Sequence, residues 1–235
     1  MVSVMPIRKI DMITKENVIN TVSLIKAYND NTMNIGTCFF YKYSNNKTVN
    51  YFLISNAHVL KDCNEFEFDI TCFDKNGIIK IVNNRFSEEP IIHNEYDLAY
   101  ININMVIEQS NINGYDLLIQ YITESDVLKN TGDFSSIENI FSVGYPNALI
   151  ADNKMCPIVK HGITSTPIKR NYDNKEEFLI DIFSFNGSSG SPIFLESGDK
   201  LLLLGIQRGH LTYQEVNTGL GVCIKSNVLM NFLYQ

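Results

Sequence analysis

Asn186-Gly187-Ser188-Ser189-Gly190-Ser191-Pro192 is the stretch that decides the fold of this 235-residue chain. It lies between two apolar runs, Glu177–Phe185 and Pro192–Glu196, which we predict to be strands. A Gly-x-Ser-Gly turn between strands can direct backbone N–H groups and a serine hydroxyl toward one point, as acyl transfer requires. Glycine, serine and proline also build ordinary hairpin loops. The choice therefore depends on whether a histidine and an acid lie upstream in suitable positions.

The composition is that of a globular protein and argues against nucleic-acid binding. Hydrophobic residues make up 45% of the chain, charged residues 19%, and the net charge is −7. An acidic chain without a Lys/Arg run does not favour a nucleic-acid partner. No apolar stretch is long enough for a signal peptide or a transmembrane span. We therefore expect a cytoplasmic protein without a membrane partner.

The cysteines indicate reduced thiols rather than a disulfide framework. The five are widely spaced and form no CxxC pair: Cys38, Cys63, Cys72, Cys156 and Cys223. An odd number in this arrangement is typical of buried thiols in a cytosolic protein. A disulfide between Cys38 and Cys63 is the alternative. The Cys and His spacing offers no zinc site, and we expect neither a metal nor an organic cofactor.

Short runs rich in Ile, Val, Phe and Tyr, separated by Asn, Asp and Gly turns, predict an all-β fold. The first group of predicted strands comprises Thr21–Tyr28, Gly36–Tyr43, Asn50–Ser55, Glu65–Phe73, Ile78–Asn83 and Leu98–Ile103. The second comprises Ile140–Gly144, Ile158–Thr166, Glu177–Phe185, Pro192–Glu196, Leu201–Gln207 and Gly219–Ile224. Two groups of six strands fit two closed antiparallel barrels better than one sandwich, and closure removes exposed edge strands.

The less regular middle of the chain separates the two groups. We predict an N-terminal barrel over residues 1–122, a connecting segment over 123–138, and a C-terminal barrel over 139–235. The C-terminal unit ends with a helix, because Val228, Leu229 and Phe232 form an apolar stripe at helical spacing and Ser226 is a suitable N-cap.

A histidine and an acid lie upstream of Ser189, each at a strand boundary. His58 follows the apolar strand that ends at Ser55, so it can face a cleft while its backbone is anchored. Asp97 opens the predicted strand Leu98–Ile103, where its carboxylate can accept a hydrogen bond from a histidine N–H. The alternatives are a hydrogen-bonded core histidine and an ordinary turn aspartate. With His58 and Asp97 in the first barrel and Ser189 in the second, a site would lie between the barrels.

Together these motifs resemble the chymotrypsin/trypsin-fold serine peptidases over the whole chain. The residues that carry the resemblance are Gly36-Thr37-Cys38-Phe39-Phe40, Ile54-Ser55-Asn56-Ala57-His58-Val59, Asp97-Leu98-Ala99 and Gly187-Ser188-Ser189-Gly190-Ser191-Pro192. They are most similar to the bacterial branch that includes HtrA-like proteins and glutamyl endopeptidases. The resemblance implies a serine endopeptidase with a polypeptide substrate, with a regulatory protein partner as one route of control.

The resemblance also implies a role for each matching residue. Ser189 matches the nucleophile, His58 the general base, and Asp97 the acid that orients the histidine. The backbone N–H groups of Gly187 and Ser189 match the oxyanion hole. Ser188 replaces the usual Asp or Asn before the nucleophile, so support for that loop must come from elsewhere. The alternative function is a catalytically silent module that binds peptides by strand addition.

In this fold the pocket for the substrate side chain before the scissile bond (P1) is built by residues on either side of the nucleophile loop. The matching positions here are Ile182, Phe183, Ser184, Gln207, Arg208 and Gly209. Ile182 and Phe183 lack a carboxylate, so a trypsin-like preference for Arg or Lys is not supported. Gln207 stands where glutamyl endopeptidases have a histidine. Arg208 or His210 would favour an acidic or polar P1 residue, whereas Phe183 would favour an apolar one, and the sequence leaves both open.

Overall fold

An eight-stranded antiparallel sheet forms the N-terminal part of the computed structural model, which describes residues 12–129, 134–149 and 156–234. Its strands are β1 (Val22–Tyr28), β2 (Met33–Ser44), β3 (Val49–Ser55), β4 (Glu65–Phe73), β5 (Ile79–Ser87), β6 (Ile91–Ile92), β7 (Ala99–Asn102) and β8 (Asp116–Leu117). They follow the order β5-β4-β1-β2-β3-β7-β6, with β8 paired to β4. No pairing of β5 with β6 closes this sheet among the described residues.

The alternating side chains of the N-terminal strands explain why they fold as a sheet. In β4, Phe66, Phe68, Ile70 and Cys72 are buried while the residues between them are half-buried. Successive strand residues point to opposite faces, so this pattern places one apolar face on the core. The buried aromatic and aliphatic side chains of β4 pack in the core of this sheet.

The C-terminal part is a closed six-stranded barrel. Its strands are β9 (Asn139–Gly144), β10 (Ile158–Thr164), β11 (Glu177–Asp181), β12 (Pro192–Ser197), β13 (Lys200–Tyr213) and β14 (Val216–Lys225). They close in the order β10-β11-β14-β13-β12-β9. Residues 186–191, the nucleophile loop predicted from the sequence, lie between β11 and β12.

Helices are short and lie at the ends of strands. They are α1 (Ala57–Leu60), α2 (Asn104–Ile112) and α3 (Ser226–Leu233), together with 3-10 turns at Val18–Thr21, Glu124–Asp126 and Pro146–Ala148. The buried side chains of Val228 and Leu229 attach α3 to a core that also contains Phe39 from β2 and Phe194 from β12. One apolar cluster therefore joins the two sheets and the last helix.

The all-β chymotrypsin/trypsin-type fold with a C-terminal helix is confirmed, although details of the elements differ from the prediction. The N-terminal sheet has eight strands rather than six, because β6 and β8 are two-residue strands too short to show periodicity. The prediction that it forms a closed barrel is wrong for the described residues, because its outer strands β5 and β6 do not pair with each other. The strand predicted over Glu177–Phe185 ends at Asp181. Residues 182–185 still alternate between buried and exposed side chains, but they have no partner strand.

The prediction that Ser226 is the N-cap of the last helix is wrong by one residue. β14 runs to Lys225, which is the capping position, and Ser226 is the first residue of α3. The domain boundaries at 122 and 138 stay a prediction. The connecting segment includes a 3-10 turn and a bridge from Val127 to Leu203 of β13, and its residues 130–133 lie outside the described part of the chain.

Candidate active site

His58 and Asp97 meet because the strands that precede and follow them are neighbours. His58 lies in α1, directly after β3, and Asp97 lies just before β7, which pairs with β3. His58 Nδ1 and Asp97 Oδ2 are 2.6 Å apart, and the backbone N–H of His58 donates to Asp97 Oδ1 at 2.9 Å. Asn56 Nδ2 donates to the Asp97 carbonyl at 2.8 Å. The aspartate thus fixes both the ring and the backbone of the histidine.

The surroundings keep Asp97 ionised. Its side chain is 29% exposed, whereas that of His58 is 51% exposed. Burial raises the pKa of Asp97, but hydrogen bonds from the His58 ring and amide, with attraction to His58 and Arg208, hold that pKa below its usual value. Because the carboxylate accepts, His58 Nδ1 carries the proton, and Nε2 of a neutral ring is left as an acceptor.

The nucleophile loop leaves two backbone N–H groups free. The N–H groups of Ser188, Gly190 and Ser191 donate to the carbonyls of Phe185, Gln207 and Ser188, at 3.0, 2.9 and 3.1 Å respectively. Those of Gly187 and Ser189 make no hydrogen bond with any described residue. The free donors are the two that the resemblance assigns to an oxyanion hole.

Thr37 on β2 supports this loop from the opposite sheet. Its hydroxyl donates to the Gly187 carbonyl at 2.8 Å and accepts from the Tyr145 N–H at 2.9 Å. The Thr37 N–H donates to the Ser189 carbonyl at 2.9 Å. Thr37 is completely buried. It therefore supplies much of the loop support that the sequence did not place at Ser188.

The turn at Pro146–Ala148 supports the other side of the loop. The N–H of Asn147 donates to the Asn186 carbonyl, which directs that carbonyl toward the turn. Gly187 has φ +83°, and a Cβ atom there would lie 2.5 Å from the Tyr145 carbonyl oxygen. Only glycine adopts this backbone conformation without strain and also fits this close approach. Ser188 itself contributes a longer contact, its Oγ accepting from the Phe185 N–H at 3.3 Å.

Ser189 is half-buried and lies close to α1. A Cβ atom at Gly36 would come within 2.8 Å of the Val59 side chain and 3.2 Å of the Ser189 carbonyl, so the absent side chain lets the loop approach the residue after His58. Ser189 Oγ makes no hydrogen bond with the His58 ring or with any other described residue. The Ser189 carbonyl thus lies near Val59, the residue after His58, and the serine hydroxyl makes no hydrogen bond with a described residue.

The predicted substrate-binding residues before the nucleophile loop face different ways. Ile182 and Ser184 are buried, and Ile182 packs in the core of the C-terminal barrel. Phe183 is 47% exposed and its ring packs against that of Phe185, with centroids 4.8 Å apart. Phe183 therefore lies at the surface rather than at the base of a pocket.

The predicted residues after the loop lie on β13. Gln207 is buried, and Arg208 forms a bidentate pair with Glu177 at 2.8 and 2.9 Å. Glu177 is only 4% exposed, so the charge of Arg208 is neutralised by a buried carboxylate. A Cβ atom at Gly209 would meet nothing within 4 Å. His210 is exposed.

Sequence reasoning missed Thr37, Asn147 and Glu177. Thr37 occurs in one of the motifs that carry the resemblance, but no role was assigned to it. Asn147 follows a proline, and this pair predicts a tight turn, in which Asn147 has φ +54°. The pair does not indicate that the turn contacts the nucleophile loop. Glu177 follows a polar, charged segment, and nothing in that local sequence predicts that its side chain is buried.

No group of three or more His, Cys, Asp and Glu residues is placed to hold a metal ion within residues 12–129, 134–149 and 156–234. Across the same ranges no helix is long and apolar enough to cross a membrane. All five cysteines are free thiols, Cys38 and Cys63 included.

A known protein family matches the part of the chain that contains His58, Asp97 and the nucleophile loop. Residues 36–206 match the model of the trypsin-like peptidase domain. The chain belongs to that family. This trypsin-like peptidase domain is therefore of the serine peptidase kind, as the motifs around His58, Asp97 and Ser189 suggested. No curated protein matches the chain.

Solved serine proteases share the fold of this trypsin-like peptidase domain. The HtrA-type protease AlgW with tripeptide has a TM-score of 0.58 and 16% identity, covering 93% of this chain and 60% of that chain. The serine endoprotease from Yersinia pestis has a TM-score of 0.55 and 16% identity, over 93% and 63%. The thermostable serine protease AL20 from an extremophilic microorganism has a TM-score of 0.56 and 13% identity, over 92% and 96%. At these identities the likeness shows the fold alone, and this chain spans under two thirds of the first two chains.

Proposed function

We propose that this protein is a serine endopeptidase in which Ser189 is the nucleophile, His58 the general base and Asp97 the orienting acid. The 2.6 Å contact between His58 and Asp97 carries the proposal, because it leaves His58 Nε2 directed away from the carboxylate as a proton acceptor. The unbonded Ser189 hydroxyl and the two free N–H groups of its loop support the same assignment.

The proposed reaction proceeds in two stages. Ser189 Oγ attacks the carbonyl carbon of the peptide bond while its proton passes to His58 Nε2, and Asp97 stabilises the resulting imidazolium. The oxyanion accepts hydrogen bonds from the N–H groups of Gly187 and Ser189. The C–N bond then breaks, the departing amine takes the proton from His58, and an acyl-enzyme is left on Ser189. Water attacks the acyl carbon with His58 again as base, which releases the acid and restores the serine.

The free Ser189 hydroxyl fits this mechanism, because hydrogen bonds between nucleophile and base are often long without substrate and shorten when it binds. Thr37 and Asn147 hold the carbonyls of Gly187 and Asn186. The Asn186 carbonyl and the Gly187 N–H belong to one peptide unit, so the contact with Asn147 leaves that N–H directed away from the turn. The Gly187 carbonyl belongs to the same peptide unit as the Ser188 N–H, which donates to the Phe185 carbonyl, so Thr37 holds the loop itself rather than an oxyanion donor.

A fluorophosphonate probe tests the proposal, since it reacts with an activated serine irrespective of the substrate preference. We expect wild type to be labelled, with the adduct on the peptide that contains Ser189. The Ser189→Ala variant should not be labelled, whereas Ser197→Ala, an exposed serine at the end of β12, should react like wild type. Unlabelled wild type, under conditions that label a known serine peptidase, would contradict the proposal and favour the silent peptide-binding module.

We further propose that the protein acts on polypeptides in the cytoplasm, without a nucleic-acid or membrane partner. Five free thiols, four of them buried, fit a reducing compartment. Fractionation of cells that produce the tagged chain tests this location, and recovery with secreted or membrane proteins would contradict it.

A further inference from the structure

The side-chain amide of Gln207 carries a hydrogen-bond donor without an acceptor. Gln207 is 1% exposed, and its Nε2 has no partner among the described residues. Its Oε1 is occupied, because it accepts from the Ser142 hydroxyl at 3.3 Å. Buried donors are almost always paired in native proteins, since an unpaired one loses its hydrogen bonds to water without replacement. Gln207 Nε2 would therefore gain from a ligand that supplies an acceptor.

The unpaired amide lies next to the nucleophile loop. The backbone N–H of Gln207 donates to the Ser191 carbonyl, and its own carbonyl accepts from the Gly190 N–H, both at 2.9 Å. Gln207 is thus tied to the two residues that follow Ser189. On the neighbouring strand, a Cβ atom at Gly221 would lie 2.9 Å from Gln207 Nε2, so glycine leaves the room that the amide needs. A substrate attacked by Ser189 would therefore lie near Gln207.

A lysine without a carboxylate partner lies on the same side of the barrel. Lys160 on β10 is directly opposite Ser142 on β9, so their side chains share one face of the sheet. Lys160 Nζ donates to the Phe183 carbonyl at 2.6 Å and lies 4.6 Å from the centre of the Phe185 ring. Burial lowers the pKa of Lys160. A carboxylate brought to this place would offset the cost of burying the ammonium group.

The other charges nearby do not compete for this role. The guanidinium of Arg208 is held by both oxygens of Glu177. Within the described ranges Lys160 forms no ion pair, in contrast to Lys26, Arg85 and Arg208. The positive charge available beside Ser142 and Gln207 is therefore that of Lys160.

The segment before the nucleophile loop has few backbone N–H groups in hydrogen bonds. Residues 182–185 connect β11 to the nucleophile loop and belong to no strand or helix. The backbone N–H groups of Ile182, Phe183 and Ser184 make no hydrogen bond with a described residue. The side chains of Phe183 and Phe185 are partly exposed. Apart from the buried Ile182 and Ser184, this segment is therefore held less firmly by backbone hydrogen bonds than the strands on either side of it.

We propose that Gln207 is the specificity-determining residue of the P1 subsite and selects a glutamate side chain, with Lys160 favouring the carboxylate over the amide of glutamine. The inference rests on the proposed peptidase function. The amide donates both N–H groups to the terminal oxygens of the substrate side chain, and Lys160 supplies the opposite charge. An apolar P1 residue would leave the amide as unsatisfied as it is in the free protein.

Cleavage of peptides that differ only at P1 tests the inference. We expect kcat/KM for Glu to exceed that for Leu by about tenfold or more, as for a hydrogen bond to a charged group. The isosteric Gln207→Glu variant replaces the donors by a negative charge and should lose this preference. The Lys160→Met variant keeps most of the side-chain length and should lower the ratio of Glu to Gln cleavage. Gln109→Glu, the same chemical change at an exposed position of α2, should leave both ratios unchanged.

Fluorophosphonate labelling, run in parallel, separates the two ways to fail. If Ser189 is labelled but Leu, Phe, Arg or Lys is preferred at P1, the inference is wrong while the peptidase function stands. The same conclusion follows if Gln207→Glu keeps the preference for Glu, or if Gln is cleaved as well as Glu by wild type. If Ser189 is not labelled at all, the proposed function fails, and the inference fails with it.

Discussion

Replacing Thr37 by valine tests whether a single hydroxyl group holds the nucleophile loop to the opposite sheet. The Thr37 hydroxyl donates to the Gly187 carbonyl at 2.8 Å and accepts from the Tyr145 N–H at 2.9 Å, and the residue is completely buried. Valine has nearly the same shape but makes neither hydrogen bond. The carbonyl and the N–H therefore lose these partners without gaining contact with water.

The expected loss of stability follows from these two contacts. Each buried polar group that loses its partner costs about 1–3 kcal/mol. We therefore expect the free energy of unfolding of Thr37→Val, measured by urea denaturation, to fall by about 2–6 kcal/mol. The rate of fluorophosphonate labelling at Ser189 should fall as well, because the peptide unit between Gly187 and Ser188 is no longer held in place.

Thr37→Ser is the matched control, because it keeps the hydroxyl and removes a methyl group. It should lose about 1 kcal/mol, the value of one buried methyl group, and should be labelled at nearly the wild-type rate. If Val and Ser at this position prove equally stable and equally reactive, the hydroxyl does not support the loop and the reasoning is refuted.

Three further substitutions test the site and its surroundings. Asp97→Asn should slow labelling by about 10⁴-fold at neutral pH, because an amide favours the wrong histidine tautomer. Since the folded pKa of Asp97 is lowered, its stability advantage over Asn should be present above about pH 4 and lost as the pH falls through the folded pKa; an equal gap in urea denaturation at pH 3 and pH 7 would count against this. Gly187→Ala should cost about 1–3 kcal/mol from its positive φ and more from its contact with a carbonyl, whereas Gly77→Ala, with φ +75° and open space around it, should show the first cost only. Arg208→Met should cost about 3–5 kcal/mol by leaving the buried carboxylate of Glu177 unpaired, and Arg208→Met/Glu177→Met should recover most of it; additive losses in the double variant would contradict the pairing.

Local patterns in the sequence predicted the strands well where one face is buried. In β4 every second residue is apolar, and the predicted and observed bounds are the same, Glu65–Phe73. The alternation continues past β11 into residues 182–185, but a strand also needs a partner, and no other strand reaches these residues. Strand pairing depends on distant parts of the chain, and the periodicity of a local stretch of sequence does not predict it.

The same distinction applies to the candidate site. His58, Asp97 and Ser189 could be predicted because each stands in a short motif at the end of a strand. The hydroxyl of Thr37, the unpaired amide of Gln207 and the ion pair of Arg208 with Glu177 depend on which strands become neighbours. The sequence left open whether Arg208 faces the substrate, and the structure shows it bound to Glu177 instead.

The bond between Thr37 and Gly187 joins residues 150 positions apart in the chain. The nucleophile loop can therefore reach its described conformation only after both sheets have been synthesised and have docked. Contacts of such long sequence separation form late in folding, because their loop-closure entropy must be offset by structure already in place. A nascent chain would thus have no organised serine loop while its own unfolded segments are exposed, and the proposed activity would arise at the moment when the chain is no longer a substrate for itself.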